Sequence, residues 1–169
     1  KDSGARALFT QTALAATWHA ALEDSAVEHV IALDALGAAP SSRKVLAFSA
    51  LAASPGTPPR VAIDPEDLVA LPYSSGTTGL PKGVMLTHRN LAANVVQTLA
   101  TQHLDERDSI IAVLPFFHIY GMTVVLTLGL HLGATIVTMP RFELEPFLAL
   151  MERHRITRAF LAPPAIVLL

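Results

Sequence analysis

This sequence predicts an α/β architecture, a largely parallel sheet with flanking helices, on three observations. Short apolar runs of strand character alternate along the chain with segments whose apolar residues recur at helical spacing. The runs at 68–71 and 110–114 are apolar at consecutive positions, the pattern of strands covered on both faces. A cluster of glycine, serine and threonine directly follows the first of these runs, where the loop at a strand's C-terminal end forms the site of such a sheet.

Taken in order, residues 7–10 read as a short strand and 14–24 as a helix, with Leu14, Trp18 and Leu22 on one inward face and Trp18 in the core. Residues 27–33 alternate enough for a second, half-buried strand, and 34–40 form a turn. Val45, Leu46, Phe48 and Leu51 fit a short helix. The stretch 54–67, with Pro55-Gly56, Pro58-Pro59 and Pro65, reads as a linker between a leading βαβ-like piece, 1–53, and a loop-bearing α/β part, 68–169. Residues 68–73 are expected as a buried parallel strand that runs straight into the hydroxyl cluster, and 83–86 resume extended structure.

Thr87 stands where a helix N-cap belongs, with Asn90 three residues on and Leu91, Val95 and Leu99 as the apolar stripe. His88 and Arg89 then occupy the first turn, where cations oppose the helix dipole and call for a compensating acceptor or anion. Residues 110–114 are a buried strand ended by Pro115, 119–130 can be helical, and 135–138 are a strand. Residues 144–154 form an amphipathic helix with Leu144, Leu148 and Met151 inward, and 159–161 begin another strand. Glu152, Arg153, His154, Arg155 and Arg158 read as a solvated face.

Composition narrows the class. The chain has 169 residues, about one domain, with 51% hydrophobic residues, 15% charged residues and a formal net charge of −2. That balance argues against disorder and against nucleic acid as a partner. Without cysteine, disulfide and thiolate chemistry are excluded. Residues 121–139 carry no Asp, Glu, Lys or Arg, but Gly129 and Gly133 around His131 split them into a helix and a strand, so buried core is expected and no membrane span. The chain opens on Lys1-Asp2-Ser3-Gly4, shows no targeting run and closes on apolar residues, which leads us to expect an internal piece of a longer cytoplasmic protein.

The most informative stretch is 73–83, Tyr-Ser-Ser-Gly-Thr-Thr-Gly-Leu-Pro-Lys-Gly, which packs five hydroxyl side chains, three glycines and one lysine into eleven residues between apolar runs. Glycines let successive N–H groups converge on one point, and hydroxyls with an ammonium add donors around it, which suits phosphate. No Asp or Glu occurs from Leu68 through Leu104 to oppose an anion. The chain has nine arginines against three lysines, so Lys82 inside the loop suggests a need for a compact ammonium. A flexible Ser/Thr/Gly linker shares the composition but explains neither Lys82 after Pro81 nor the strand-like runs at both ends. Pro81 and Gly83 exclude the ordinary P-loop, and no Gly-x-Gly-x-x-Gly fingerprint occurs.

Residues 73–84 resemble the phosphate-binding signature of the adenylate-forming enzymes: acyl-CoA synthetases, luciferases and peptide-synthetase adenylation domains. Leu114-Pro115-Phe116-Phe117-His118-Ile119-Tyr120-Gly121 resembles a second motif of that family. With Met139-Pro140-Arg141-Phe142 and Ala162-Pro163-Pro164, the likeness is nearest to 4-coumarate:CoA ligases. The resemblance implies that the chain is part of the large N-terminal domain of such an enzyme. It also implies a two-step reaction: a carboxylic acid reacts with ATP to give an acyl adenylate and pyrophosphate, and coenzyme A then displaces AMP.

On that resemblance Ser74, Ser75, Gly76, Thr77, Thr78 and Gly79 hold ATP phosphates with Lys82, the catalytic cation, and Thr78 lies near Mg²⁺. His118, Tyr120 and Gly121 line the acyl pocket, with His118 near the thiol entrance and Tyr120 offering its hydroxyl to a phenolic substrate. A hydrogen-bonded core histidine and a core tyrosine remain the competing readings of His118 and Tyr120. Aryl and hydroxycinnamic acids are favoured, with fatty and short dicarboxylic acids as alternatives. The family's adenine, ribose and C-terminal lysine motifs do not occur in these residues, so the isolated chain is expected to be inactive and to depend on the remainder of a parent chain. A non-catalytic nucleotide-binding module and a bare interaction fragment stay open.

Overall fold

The computed structural model describes residues 2–34, 44–74 and 81–169, which fall into two compact units, 1–62 and 63–169. The first unit contains β1 (Ala7–Thr10), a tight 3-10 turn at Thr12–Leu14, α1 (Ala15–Leu22), β2 (His29–Ala32), β3 (Lys44–Ala47) and α2 (Phe48–Ala52). The strands are all parallel in the order β1-β2-β3, with Leu8 opposite Val30 and Val30 opposite Val45. Parallel pairing of β1 and β2 needs a crossover, which α1 supplies. Trp18, Leu22, Val27 and Val30 form its buried core, with Leu8, Ala15 and Val45 packed around them.

Two expectations change here. Leu14 is 53% exposed because it closes the 3-10 turn, whose three-residue period puts it out of phase with Trp18 and Leu22. Val45 and Leu46 are strand rather than helix, since pairing along the buried β2 outweighs a weak helical spacing. The expected turn at 34–40 lies outside the described residues beyond Asp34.

The second unit opens with β4 (Leu68–Ala70), β5 (Tyr73–Ser74), β6 (Lys82–Gly83), β7 (Leu86–Thr87) and α3 (His88–Thr101). Then come β8 (Ser109–Ala112), a π-helical segment at Gly121–Thr127 that runs into α4 (Leu128–Leu132), β9 (Thr135–Thr138), α5 (Leu144–Arg153), β10 (Arg158–Ala159) and α6 (Pro163–Ile166). Its main sheet is parallel, in the order β10-β8-β9. All four residues of the central strand β8 are buried. Ile110, Ala112 and Val125 form the centre, with Phe116, Ala134, Ile136 and Phe160 packed on it. Gly133, at φ 72°, ends α4 in the left-handed conformation and turns the chain into β9. No helix among the described residues is long and apolar enough to cross a membrane.

The strand before the loop is not a buried parallel one. β4 pairs antiparallel with β7, and Leu68 is 51% exposed. An apolar run reports what its faces are made of, not the direction of its partner. Here the chain doubles back within twenty residues, and a short return favours antiparallel pairing. In α5 the buried residue is Phe147, at 2% exposure, while Leu144 and Leu148 stay exposed. The Phe147 ring packs tilted against that of Phe142, 5.2 Å between centroids, so the larger ring takes the core and rotates the helix away from the leucine stripe.

Thr87 caps α3 as its sequence implies: its hydroxyl accepts from the Asn90 N–H at 3.2 Å, and the Asn90 side chain accepts from the Thr87 N–H at 2.9 Å. Arg89 pairs with Glu66, which supplies the anion that a cation in the first turn needs. The N–H groups of His88 and Arg89 donate to the carbonyls of Asp67 and Pro65.

The start of the main sheet is fastened by Thr157. Its hydroxyl donates to Asp108 at 2.6 Å and accepts from the Ser109 N–H at 3.0 Å, while its own N–H donates to the Ser109 carbonyl at 2.9 Å. The hydroxyl of Thr157, then the backbone N–H of Asp105 and the charge of Arg158, hold the Asp108 carboxyl below the usual carboxylate range. A carboxylate depressed in the folded state contributes stability above its unfolded pKa of about 3.9 and loses it as pH falls through the lower folded value. Asp108→Asn should therefore lower the melting temperature at pH 7, and its deficit against the wild type should shrink below about pH 3.9. A deficit that stays constant from neutral to acid pH in thermal unfolding would contradict this.

Candidate functional site

The site begins with a two-stranded antiparallel pair. β5 and β6 set Tyr73 opposite Gly83 and Ser74 opposite Lys82. Directly opposed residues of such a pair project to the same face with neighbouring Cβ atoms, so the Ser74 hydroxyl and the Lys82 side chain issue from adjacent points. The Val84 N–H continues the pairing to the Pro72 carbonyl at 2.9 Å. A Cβ on Gly83 would stand 3.1 Å from Leu71 and 3.3 Å from the Tyr73 ring, so glycine leaves those side chains room to close over the strand. Ser74 and Lys82 are both exposed.

A cleft of about 500 Å³ opens beside this pair. Tyr73, Ser74 and Val84 form one wall, and Phe117, His118 and Ile119 the other. The two stretches singled out in the sequence, 45 residues apart at Tyr73 and His118, thus border a single space whose lining is mainly apolar. Such a space suits a ligand with an apolar body and one charged end.

His118 is held by its own loop. Its N–H donates to the Pro115 carbonyl at 3.0 Å, its carbonyl accepts from the Met122 N–H at 2.9 Å, and its Nδ1 accepts from the Tyr120 N–H at 3.2 Å. With Nδ1 accepting, the neutral imidazole carries its proton on Nε2. Tyr120 is half-buried and Gly121 buried, and neither borders the cleft directly. Gly121 serves by its lack of a side chain: a Cβ there would lie 2.3 Å from the Pro115 carbonyl oxygen and 2.9 Å from that of Leu114. Close backbone contact of this kind fixes the loop that bears His118.

The structure thus brings Ser74 and His118 to one cleft, with Lys82 opposite Ser74 on the paired strand, while Tyr120 and Gly121 follow His118 in its loop without bordering the cleft. Ser75, Gly76, Thr77, Thr78 and Gly79 lie outside the described residues. Among the described residues there is no group of three His, Cys, Asp or Glu able to hold a metal ion. Among the described residues the polar side chains of the cleft lining are Tyr73, Ser74 and His118, with Lys82 opposite Ser74 on the paired strand. Sequence reasoning missed Phe117 and Ile119 as cleft walls, although they flank His118. It also missed the wide helical turn that follows, for which the sequence carries no periodic signal.

Comparison with known proteins gives the family and the fold. The sequence profile described as AMP-binding enzyme matches residues 1–169. The chain is 53% identical over 108 residues to 4-coumarate–CoA ligase 1 of Oryza sativa subsp. japonica, a match covering 62% of this chain and 19% of that protein. A long-chain-fatty-acid-CoA ligase of Archaeoglobus fulgidus superposes with a TM-score of 0.83 at 31% identity, over 99% of this chain and 32% of that one. The o-succinylbenzoate coenzyme A synthetase of Bacillus subtilis, in complex with ATP and magnesium ion, shares the fold with a TM-score of 0.71 at 24% identity, over 90% of this chain and 33% of that one. The chain therefore spans between about a fifth and a third of the length of these relatives.

Gly121→Ala should lower stability by about 1–3 kcal/mol, because a methyl group placed against two carbonyls forces the backbone apart. An unchanged urea midpoint would show that the Pro115 contact is looser than described.

Proposed function

This chain belongs to the AMP-binding enzyme family, and on that footing we propose that it is the phosphate- and acid-binding part of an AMP-forming carboxylic acid:CoA ligase. The observation that carries this reading is the register of β5 on β6, which sets Lys82 opposite Ser74, itself a wall of the cleft that His118 borders. An acid seated in the cleft has its carboxylate toward Ser74 and Lys82 and its apolar body against Val84, Phe117 and Ile119.

In the first step a carboxylate oxygen attacks the α-phosphorus of ATP, the bond from that phosphorus to the β-phosphate bridging oxygen breaks, and pyrophosphate leaves. Ser74, with Ser75, Gly76, Thr77, Thr78 and Gly79, holds the β- and γ-phosphates. The Lys82 ammonium offsets the charge that gathers on the departing pyrophosphate. Positioning and charge stabilisation suffice, and no side-chain nucleophile is required. Mg²⁺ arriving with ATP would supply further positive charge, and Thr78 is the residue that would help hold it. In the second step the thiolate of coenzyme A attacks the acyl carbon and AMP departs. His118 stands at the acyl end of the cleft as a wall and not as a base, with Nδ1 already engaged by the Tyr120 N–H.

Aryl and hydroxycinnamic acids are the favoured substrates. The supports are the 53% identity to the rice 4-coumarate–CoA ligase and an apolar cleft with Phe117 and Tyr73 on facing walls. In the protein that carries this segment, acid-dependent release of pyrophosphate should be fastest with a hydroxycinnamate among aryl, fatty and short dicarboxylic acids. Lys82→Ala should lower kcat by about 10²–10³, the loss expected for one charge-stabilising donor. Release that is unaffected by Lys82→Ala would defeat the reading.

A further inference from the structure

We propose that Thr127 is a positioning residue for the acid pocket, because its hydroxyl sets the wide helical register that holds His118 at the cleft. The inference rests on the reading of His118 as an acyl-pocket wall. The segment Gly121–Thr127 is π-helical: the Leu128 N–H bonds the Thr123 carbonyl five residues back. The Thr127 hydroxyl repeats that interval, donating to the Met122 carbonyl at 2.7 Å. One turn earlier the Thr123 hydroxyl donates to the Ile119 carbonyl at 2.7 Å, an interval of four.

A π turn holds one more residue than an α turn, so the segment could shed it and slide into α register. That slide would rotate one end of the segment relative to the other by about 100° and shift it by about 1.5 Å. Val125 and Leu128 are fully buried, Val125 against the β8 core, so the downstream end is anchored. The displacement would fall on the upstream end, on Gly121 and on the loop through Tyr120 to His118. That end has no slack: Gly121 lies against the Pro115 carbonyl, and the Met122 N–H holds the His118 carbonyl at 2.9 Å. The Met122 residue whose carbonyl Thr127 secures is therefore the residue whose N–H secures His118. Thr127 reaches the cleft through this chain of two bonds and touches no substrate itself.

Thr127→Val keeps the side-chain shape and removes the donor, and Thr127→Ser keeps the donor. Thr127→Ala serves where valine disturbs folding. In the full chain, long-range ¹H–¹⁵N correlation of the His118 imidazole, assigned with His118→Asn, reads the Nδ1 acceptor state without turnover. The Nδ1 signal should leave its hydrogen-bonded position in Thr127→Val and Thr127→Ala and keep it in Thr127→Ser. In pyrophosphate release by the protein carrying this segment, KM for the acid should rise about fivefold in Thr127→Val, a single hydrogen bond's worth, with KM for ATP unchanged and Thr127→Ser restoring it. An imidazole signal identical in all variants, or KM for ATP rising in step with that for the acid, overturns the proposal. Wild-type protein that releases no pyrophosphate with any acid refutes the ligase reading instead, and the imidazole signal still decides the role of Thr127.

Discussion

Two antiparallel backbone pairs, Tyr73 with Gly83 and Ser74 with Lys82, are the constraint on which the candidate site depends. Without them, a run of hydroxyls, glycines and a lysine is a linker with polar decoration. With them, a hydroxyl and an ammonium sit on one rung of a ladder, about 5 Å apart at their Cα atoms, beside an apolar cleft. Gly83 makes the rung possible by leaving room for Leu71 and Tyr73 over the strand. The pairing does not rest on burial, since both strands are only two residues long and largely exposed.

The opposite wall is made differently. His118 is positioned by backbone hydrogen bonds within a loop that leaves the buried strand β8 and returns through a π-helical segment packed on the same core. Rigidity at the cleft is borrowed from Ile110, Val125 and Leu128, all fully buried, by way of Gly121 pressed on the Pro115 carbonyl. One wall is thus fixed by a hairpin and the other by a core, and the space between them is the cleft. Such a space suits a ligand with one charged end and a shaped apolar body.

Much of this was legible in the sequence, and the failures share a cause. The cap at Thr87 and Asn90, the buried Ile110–Ala112, the core Trp18 and the helix end at Gly133, though not at Gly129, which lies within α4, depend on local chemistry, which a single sequence states openly. The direction of β4, the exposure of Leu14 and the choice of Phe147 over Leu144 and Leu148 depend on what lies across the fold, which apolar spacing does not encode. The candidate site divides in the same way. The expectation of phosphate chemistry at 73–83 rests on residue types alone. That Ser74 and His118 border one cleft is not legible in the sequence, because a separation of 44 positions gives no distance.

The most direct test of the paired rung is an amide titration: ATP added to the uniformly ¹⁵N-labelled protein, with the backbone N–H signals of Ser74, Lys82 and Gly83 followed. The account predicts that these signals move together and saturate together, and that Lys82→Ala abolishes the movement. Signals that move instead on the outer face of α3, around Arg89 and Gln97, or movement that survives Lys82→Ala, would contradict it.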